Sequence, residues 1–132
     1  MTESGRELIA HRLQRAWESL EDARILAHAE RWNASVNRLY YACFYAVSAL
    51  LAQQGLASSR HAGVRSLFNQ HFVHTGKVAK DQARIYNDPF ERRQEGDYVD
   101  FVRFNESHVR AWLPRAEVFV EHIVELLDAK ER

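Results

Sequence analysis

At 132 residues the chain is long enough for a hydrophobic core of its own and short for two, so a single domain spanning residues 1–132 is expected. Lys plus Arg (18) equals Asp plus Glu (18), so no net field draws the protein toward nucleic acid or an anionic membrane, and any basic surface must be local. The single cysteine, Cys43, excludes an intrachain disulfide and suits a reducing compartment; MTESGRELIA lacks the apolar core of a secretory signal, and no stretch nears the roughly 20 apolar residues of a membrane span, so a cytoplasmic location is expected.

Two prolines and five glycines punctuate the sequence, and no alternating β-branched run appears, which predicts an all-α fold. Ile9, Leu13, Ala16, Leu20, Ala23 and Ala27 follow steps of four and three, the stripe of a first helix that runs to about Glu30. Asn33 can cap a second helix that carries Val36 to Gln54 and stops at Gly55, a residue suited to a left-handed C-terminal turn. This helix is apolar nearly all round, which places it centrally in a bundle or at a subunit interface. Val64, Leu67, Phe68 and Phe72 mark a shorter third helix ending near Gly76. Asn87-Asp88-Pro89 reads as a break, with Asp88 as cap and Pro89 as first residue of a helix reaching about Tyr98. Asn105 can cap a last long helix with the stripe Val109, Trp112, Ala116, Phe119, Ile123 and Leu126, in which Pro114 removes one hydrogen bond and should introduce a bend.

Polar residues on these helices supply the candidate sites. Arg38, Tyr41, Tyr45 and Ser48 share one face of the second helix, which can either hold a nucleotide by guanidinium contact and ring stacking or form a dimer seam with hydroxyls bonded across it. Arg93 and Asp97, four apart, read either as a surface ion pair or as a phosphate-binding arginine oriented by a carboxylate, with Tyr98 beside it as a donor. Cleaving RNA without a metal takes a histidine to move a proton and a cation to stabilise the phosphorane; His61 stands at a helix start where it can meet the second helix, and Arg103 with His108 provides an Arg-x4-His spacing. No zinc spacing, Gly-rich phosphate loop or nucleophile motif is present, so neither a metal nor a cofactor is expected.

Taken in order, NRLYYACFYAVSALL, then SSRHAGVRSLFNQHFVHTG after Gly55, then RRQEGDY resemble the HEPN family of small prokaryotic helical proteins, in the branch written roughly as NRxYYAxFHAxxALL, Ser-His-x-Gly and RxxADY. The resemblance covers about residues 30 to 100 and implies an antiparallel up-and-down bundle of four to five helices that forms a homodimer. It further implies the toxin half of a toxin–antitoxin or defence module whose partner is a minimal nucleotidyltransferase. Many members are metal-independent endoribonucleases that use an Arg-x4-6-His motif at the dimer cleft. By position, Arg93, Asp97, Tyr98 and His61 carry over as the catalytic set and Asn37, Arg38 and Tyr41 as binding residues, with Arg103 and His108 as the alternative pair. Two positions depart from the pattern: Tyr45 replaces the histidine after phenylalanine, and Tyr98 stands where the nuclease motif places its histidine. A phenol with an ordinary pKa of about 10 is a poor proton shuttle at neutral pH.

On this reading Asn37 and Arg38 face a polar cleft near Arg93 and Asp97, while Tyr40, Phe44 and Val47 pack inward and Cys43 is a small buried hydrophobe. The expected ligand is nucleotide or RNA phosphate, with neither DNA nor membrane as a partner. The alternative is a non-catalytic nucleotide-binding module, or one that presents a substrate such as Tyr98 to its nucleotidyltransferase. Between Arg84 and Arg115 six arginines are matched by six acids, which favours a short ligand over extended RNA.

Overall fold

The computed structural model describes residues 2–95 and 103–131, and of residues 89–95, 130 and 131 the backbone alone. Among these, five α-helices and no strand are present: α1 (Glu3–His28), α2 (Trp32–Gln53), α3 (His61–Phe68) continued by a π-helical turn (Asn69–Val73), α4 (Lys80–Glu95) and α5 (Glu106–Glu131). The all-α bundle expected from the periodicities is what the chain forms.

Thr2 caps α1 through its hydroxyl, which accepts the Gly5 amide at 3.1 Å, and the expected stripe buries Ile9, Ala16, Leu20 and Ala23. The helix ends at His28, two residues earlier than its stripe suggests, because Glu30 turns left-handed (φ 59°) and Arg31 N–H returns to the Leu26 carbonyl at 2.8 Å. A side chain at a left-handed position costs about 1 kcal/mol that glycine avoids. Glu30→Gly is therefore expected to raise the melting temperature by roughly 3–4 °C in a calorimetric scan.

Asn33 does not cap α2. The N-cap is Arg31, without a side-chain bond, and Asn33 sits inside the first turn, where its amide oxygen accepts the Phe104 N–H at 2.7 Å. A distant amide donor has claimed the oxygen that local geometry would have spent on the helix end. At the other end Gly55 (φ 72°) closes α2 as expected, with Leu56 N–H bonded to the Leu51 carbonyl at 2.9 Å.

The central placement of α2 also holds: it packs against α1, α3, α4 and α5. Ser35 donates to the Ala23 carbonyl at 2.8 Å, while Arg12 reaches the far end of α2 at Ser48, so α1 and α2 run antiparallel. Asn33 meets Phe104 near the start of α5 and Gln53 meets the Leu127 carbonyl near its end, so α5 runs in the same direction as α2. Between these helices Tyr40, Phe68, Tyr86 and Phe119 form a fully buried aromatic cluster, with Phe68 edge-on to both Tyr86 (5.7 Å) and Phe119 (5.9 Å).

The expected break at Asn87-Asp88-Pro89 is not one. The segment lies within α4, which begins at Lys80 and continues to Glu95. Proline inside a helix forfeits the bond to the carbonyl four residues back, at about 3 kcal/mol. Burial of Ala83, Ile85 and Tyr86 in the preceding turns, at about 1.5–3 kcal/mol for each large side chain, outweighs that loss. The predicted end of this helix at Tyr98 lies outside the described residues. Asn105 does cap α5, and Pro114 lies within that helix.

Candidate functional site

Helical spacing puts Asn37, Arg38, Tyr41, Phe44 and Tyr45 on one half-buried flank of α2. The Arg38 guanidinium donates to the Asn37 side-chain oxygen through Nη2 at 2.8 Å and Nε at 3.2 Å, and its carbon stands 4.8 Å from the centre of the Tyr41 ring. Arginine and amide are thus paired with each other, and the cation lies over a π face, where it remains available to an anion. Phe44 packs against the core and stacks on Tyr40 at 6.1 Å as expected, but it is half-buried where Tyr40 and Val47 are fully enclosed, and His61 lies against its ring.

His61 is the first residue of α3 and is brought to α2 as expected. Its ring lies 4.3 Å from the Phe44 centroid, meets Tyr41 edge-on at 5.7 Å, and shares a hydrogen bond of 3.1 Å between Nδ1 and the Tyr40 hydroxyl. The approach depends on Gly63, since a Cβ there would stand 2.8 Å from the Ser58 Cβ and closer still to its hydroxyl. The loop after Gly55 can therefore fold tightly against the first turn of α3 and deliver the imidazole. Asn37, Arg38, Tyr41 and His61 form one continuous cluster.

Behind it lies a polar layer that sequence reasoning missed. Arg65 donates to the Asn87 side-chain oxygen at 3.2 Å, and the Asn87 and Asn69 amides bond to each other, with Asn87 donating at 3.0 Å. Arg65 and Asn69 are four apart on one face of α3 and its continuation, a signal that was available; their partner Asn87 was masked by its resemblance to a helix break. Next to Asn87, Tyr86 is buried and stacks on Tyr40 at 6.0 Å, and burial pushes its phenol pKa up. Burial likewise pushes up the Cys43 thiol, which is the inert hydrophobe expected and no nucleophile.

The remaining candidates divide. Arg93 occupies α4 two turns beyond Tyr86; its side chain, together with Asp97 and Tyr98, lies outside the described residues. Arg103 is exposed, and among the described residues no hydrogen bond or ion pair joins it to His108. His108 instead completes a capping box: its Nδ1 accepts the Asn105 N–H at 3.0 Å while the Asn105 side chain accepts the His108 N–H at 3.2 Å. Phe104 and Trp112 hold the ring at 5.5 and 5.1 Å, so the structure gives His108 a helix-capping position. Among the described residues no helix is long and apolar enough to cross a membrane.

A family model described as the HEPN domain matches residues 9–127. The chain is 45% identical over 126 residues to a UPF0332 protein of Thermotoga maritima, covering 96% of each. It is 32% identical over 122 residues to a Methanocaldococcus jannaschii protein named "Putative toxin MJ0605", covering 92% of this chain and 90% of that one. A second protein of that organism, "Putative toxin MJ0142", is 26% identical over 118 residues, covering 89% and 80%.

Proposed function

Because the chain belongs to the HEPN domain family, we propose that it is the toxin half of a two-component module with a minimal nucleotidyltransferase, and that it works as a homodimer whose arginine-lined cleft binds nucleotide or RNA phosphate and cleaves RNA without a metal. The similarity to two archaeal proteins with toxin names supports the first part. The observation that carries the second is the meeting of His61 with the Arg38–Tyr41 pair on one flank of α2.

Such cleavage removes a proton from a ribose 2′-hydroxyl, whose oxygen attacks phosphorus and expels the 5′-oxygen, which takes up a proton. The products are a 2′,3′-cyclic phosphate and a 5′-hydroxyl. Imidazole is the side chain suited to both transfers near neutral pH. His61 is the residue assigned to the proton transfer, its ring oriented by the hydrogen bond between Nδ1 and the Tyr40 hydroxyl. Arg38 and Arg93 are the cations assigned to the charge of the phosphorane, with Asp97 and Tyr98 as the groups that orient Arg93.

Purified protein incubated in EDTA with single-stranded RNA tests this reading. Wild type is expected to yield cyclic-phosphate ends and Arg93→Ala to lose them. Equal cleavage by both removes Arg93 from the chemistry; nucleotide binding without cleavage assigns the chain to the non-catalytic role beside its nucleotidyltransferase.

A further inference from the structure

Three arginines on α1, Arg6, Arg12 and Arg15, have no carboxylate partner among the described residues, and the last two are bonded to α2. Arg12 and Arg15 lie three apart, beside the core stripe, and both turn toward α2. Arg12 Nη1 donates to the Ser48 carbonyl at 3.1 Å; Arg15 Nη2 donates to the Tyr45 hydroxyl at 3.1 Å, with its guanidinium carbon 5.2 Å from the centre of that ring. Three surface arginines are instead neutralised by acids: Arg24 pairs with Glu117 at 3.3 Å, Arg84 with Asp81 at 3.2 Å and Arg110 with Glu106 at 2.7 Å. The Arg12 and Arg15 guanidinium groups therefore keep their full charge and most of their five donors each, and α2 fixes their direction.

Between them is a pocket of about 250 Å³, lined by His11, Arg12, Arg15, Phe44, Tyr45 and Ser48 and containing no acid. It adjoins the cluster already described, because Phe44 borders the pocket and also packs on His61 at 4.3 Å. The two sites also share a motif. Arg38 over Tyr41 and Arg15 over Tyr45 are the same cation-on-ring unit, repeated one helical turn apart on α2, with the two tyrosine rings 5.9 Å from each other.

A repeated arginine–aromatic unit fits a ligand that itself repeats an anion and a flat ring, which is the chemistry of single-stranded nucleic acid. We propose that Arg12 and Arg15, with Tyr45 and Ser48, form a phosphate subsite that holds the nucleotide next to the one bound at Arg38 and His61. The assignment rests on the RNA-binding reading above but not on cleavage. It is compatible with a neutral chain, since the two cation-on-ring units supply positive charge locally, on a short track along α2.

The test has two arms. Inorganic phosphate titrated into the ¹⁵N-labelled protein is expected to shift the Nε–Hε signals of Arg12 and Arg15 saturably while leaving those of Arg24 and Arg110 in place, and Arg15→Gln, an exposed change, is expected to abolish the response. A five-residue oligouridylate is expected to bind Arg12→Gln/Arg15→Gln about tenfold or more weakly than wild type. The slope of log affinity against log salt should also fall by about 0.7 for each phosphate that the variant no longer neutralises. Shifts that grow without saturation at all surface arginines, or an unchanged salt slope, overturn the subsite. A glutamate-rich peptide that binds as tightly through the same arginines overturns the polynucleotide assignment. Loss of oligouridylate binding in the variants of a protein that cleaves nothing refutes the nuclease reading and leaves the subsite standing.

Discussion

His61→Gln is expected to lower the rate of RNA cleavage by about 10²- to 10⁴-fold, the contribution of one well-placed proton-transfer group. Glutamine keeps a polar side chain of similar reach at the start of α3 but cannot exchange a proton. Affinity for an RNA that is not cut should change little, because the imidazole acts on the proton in flight while Arg38 and the rings hold the strand. The pH–rate profile should lose one limb. Tyr40→Phe removes only the hydroxyl bonded to Nδ1, so it should give a smaller loss of rate with the fold intact. Single-turnover assays of wild type and His61→Gln decide the point: equal rates and identical pH profiles would take His61 out of the mechanism.

Phe119→Ala should lower stability by about 3–5 kcal/mol, the usual consequence of emptying a large aromatic site in a closed core. Phe119 is 1% exposed and joins α5 to the rings of Phe68 and Tyr86, at 5.9 and 6.3 Å. Domains of this size are stable by about 5–15 kcal/mol in all, so a loss of this order removes much of the reserve. Urea titration should show a lower midpoint at unchanged slope. A shift under about 1 kcal/mol would mean that the cluster repacks and does not anchor α5.

The two substitutions probe parts of the molecule that differ in how far the sequence revealed them. The stripes of α1 and α5, the stop at Gly55, the cap at Asn105 and the all-round apolar character of α2 were legible, since each depends on residues within a few turns of one another. The meeting of His61 with α2 was legible as well, through its position at a helix start and the resemblance of the surrounding motif. The misreadings came where a local preference met a distant partner. Asn33 has the chemistry of a cap, and Phe104, 71 residues away, takes its oxygen. Asn87-Asp88-Pro89 has the chemistry of a break, and burial of Tyr86 and its neighbours carries the helix through it.

Periodicity, capping and composition therefore determined that this chain is helical, which helix is central and which flank of it is polar. Those properties follow from the helical repeat and from side chains bonding to nearby backbone, and both are written in local order. Only the packed structure decided that Arg38 lies over Tyr41 beside His61 and that Arg12 and Arg15 repeat that arrangement from α1. It also decided that Arg65, Asn69 and Asn87 share one network. Such contacts join residues tens of positions apart, and their geometry is set by how helices cross, which the pattern of any one helix does not encode.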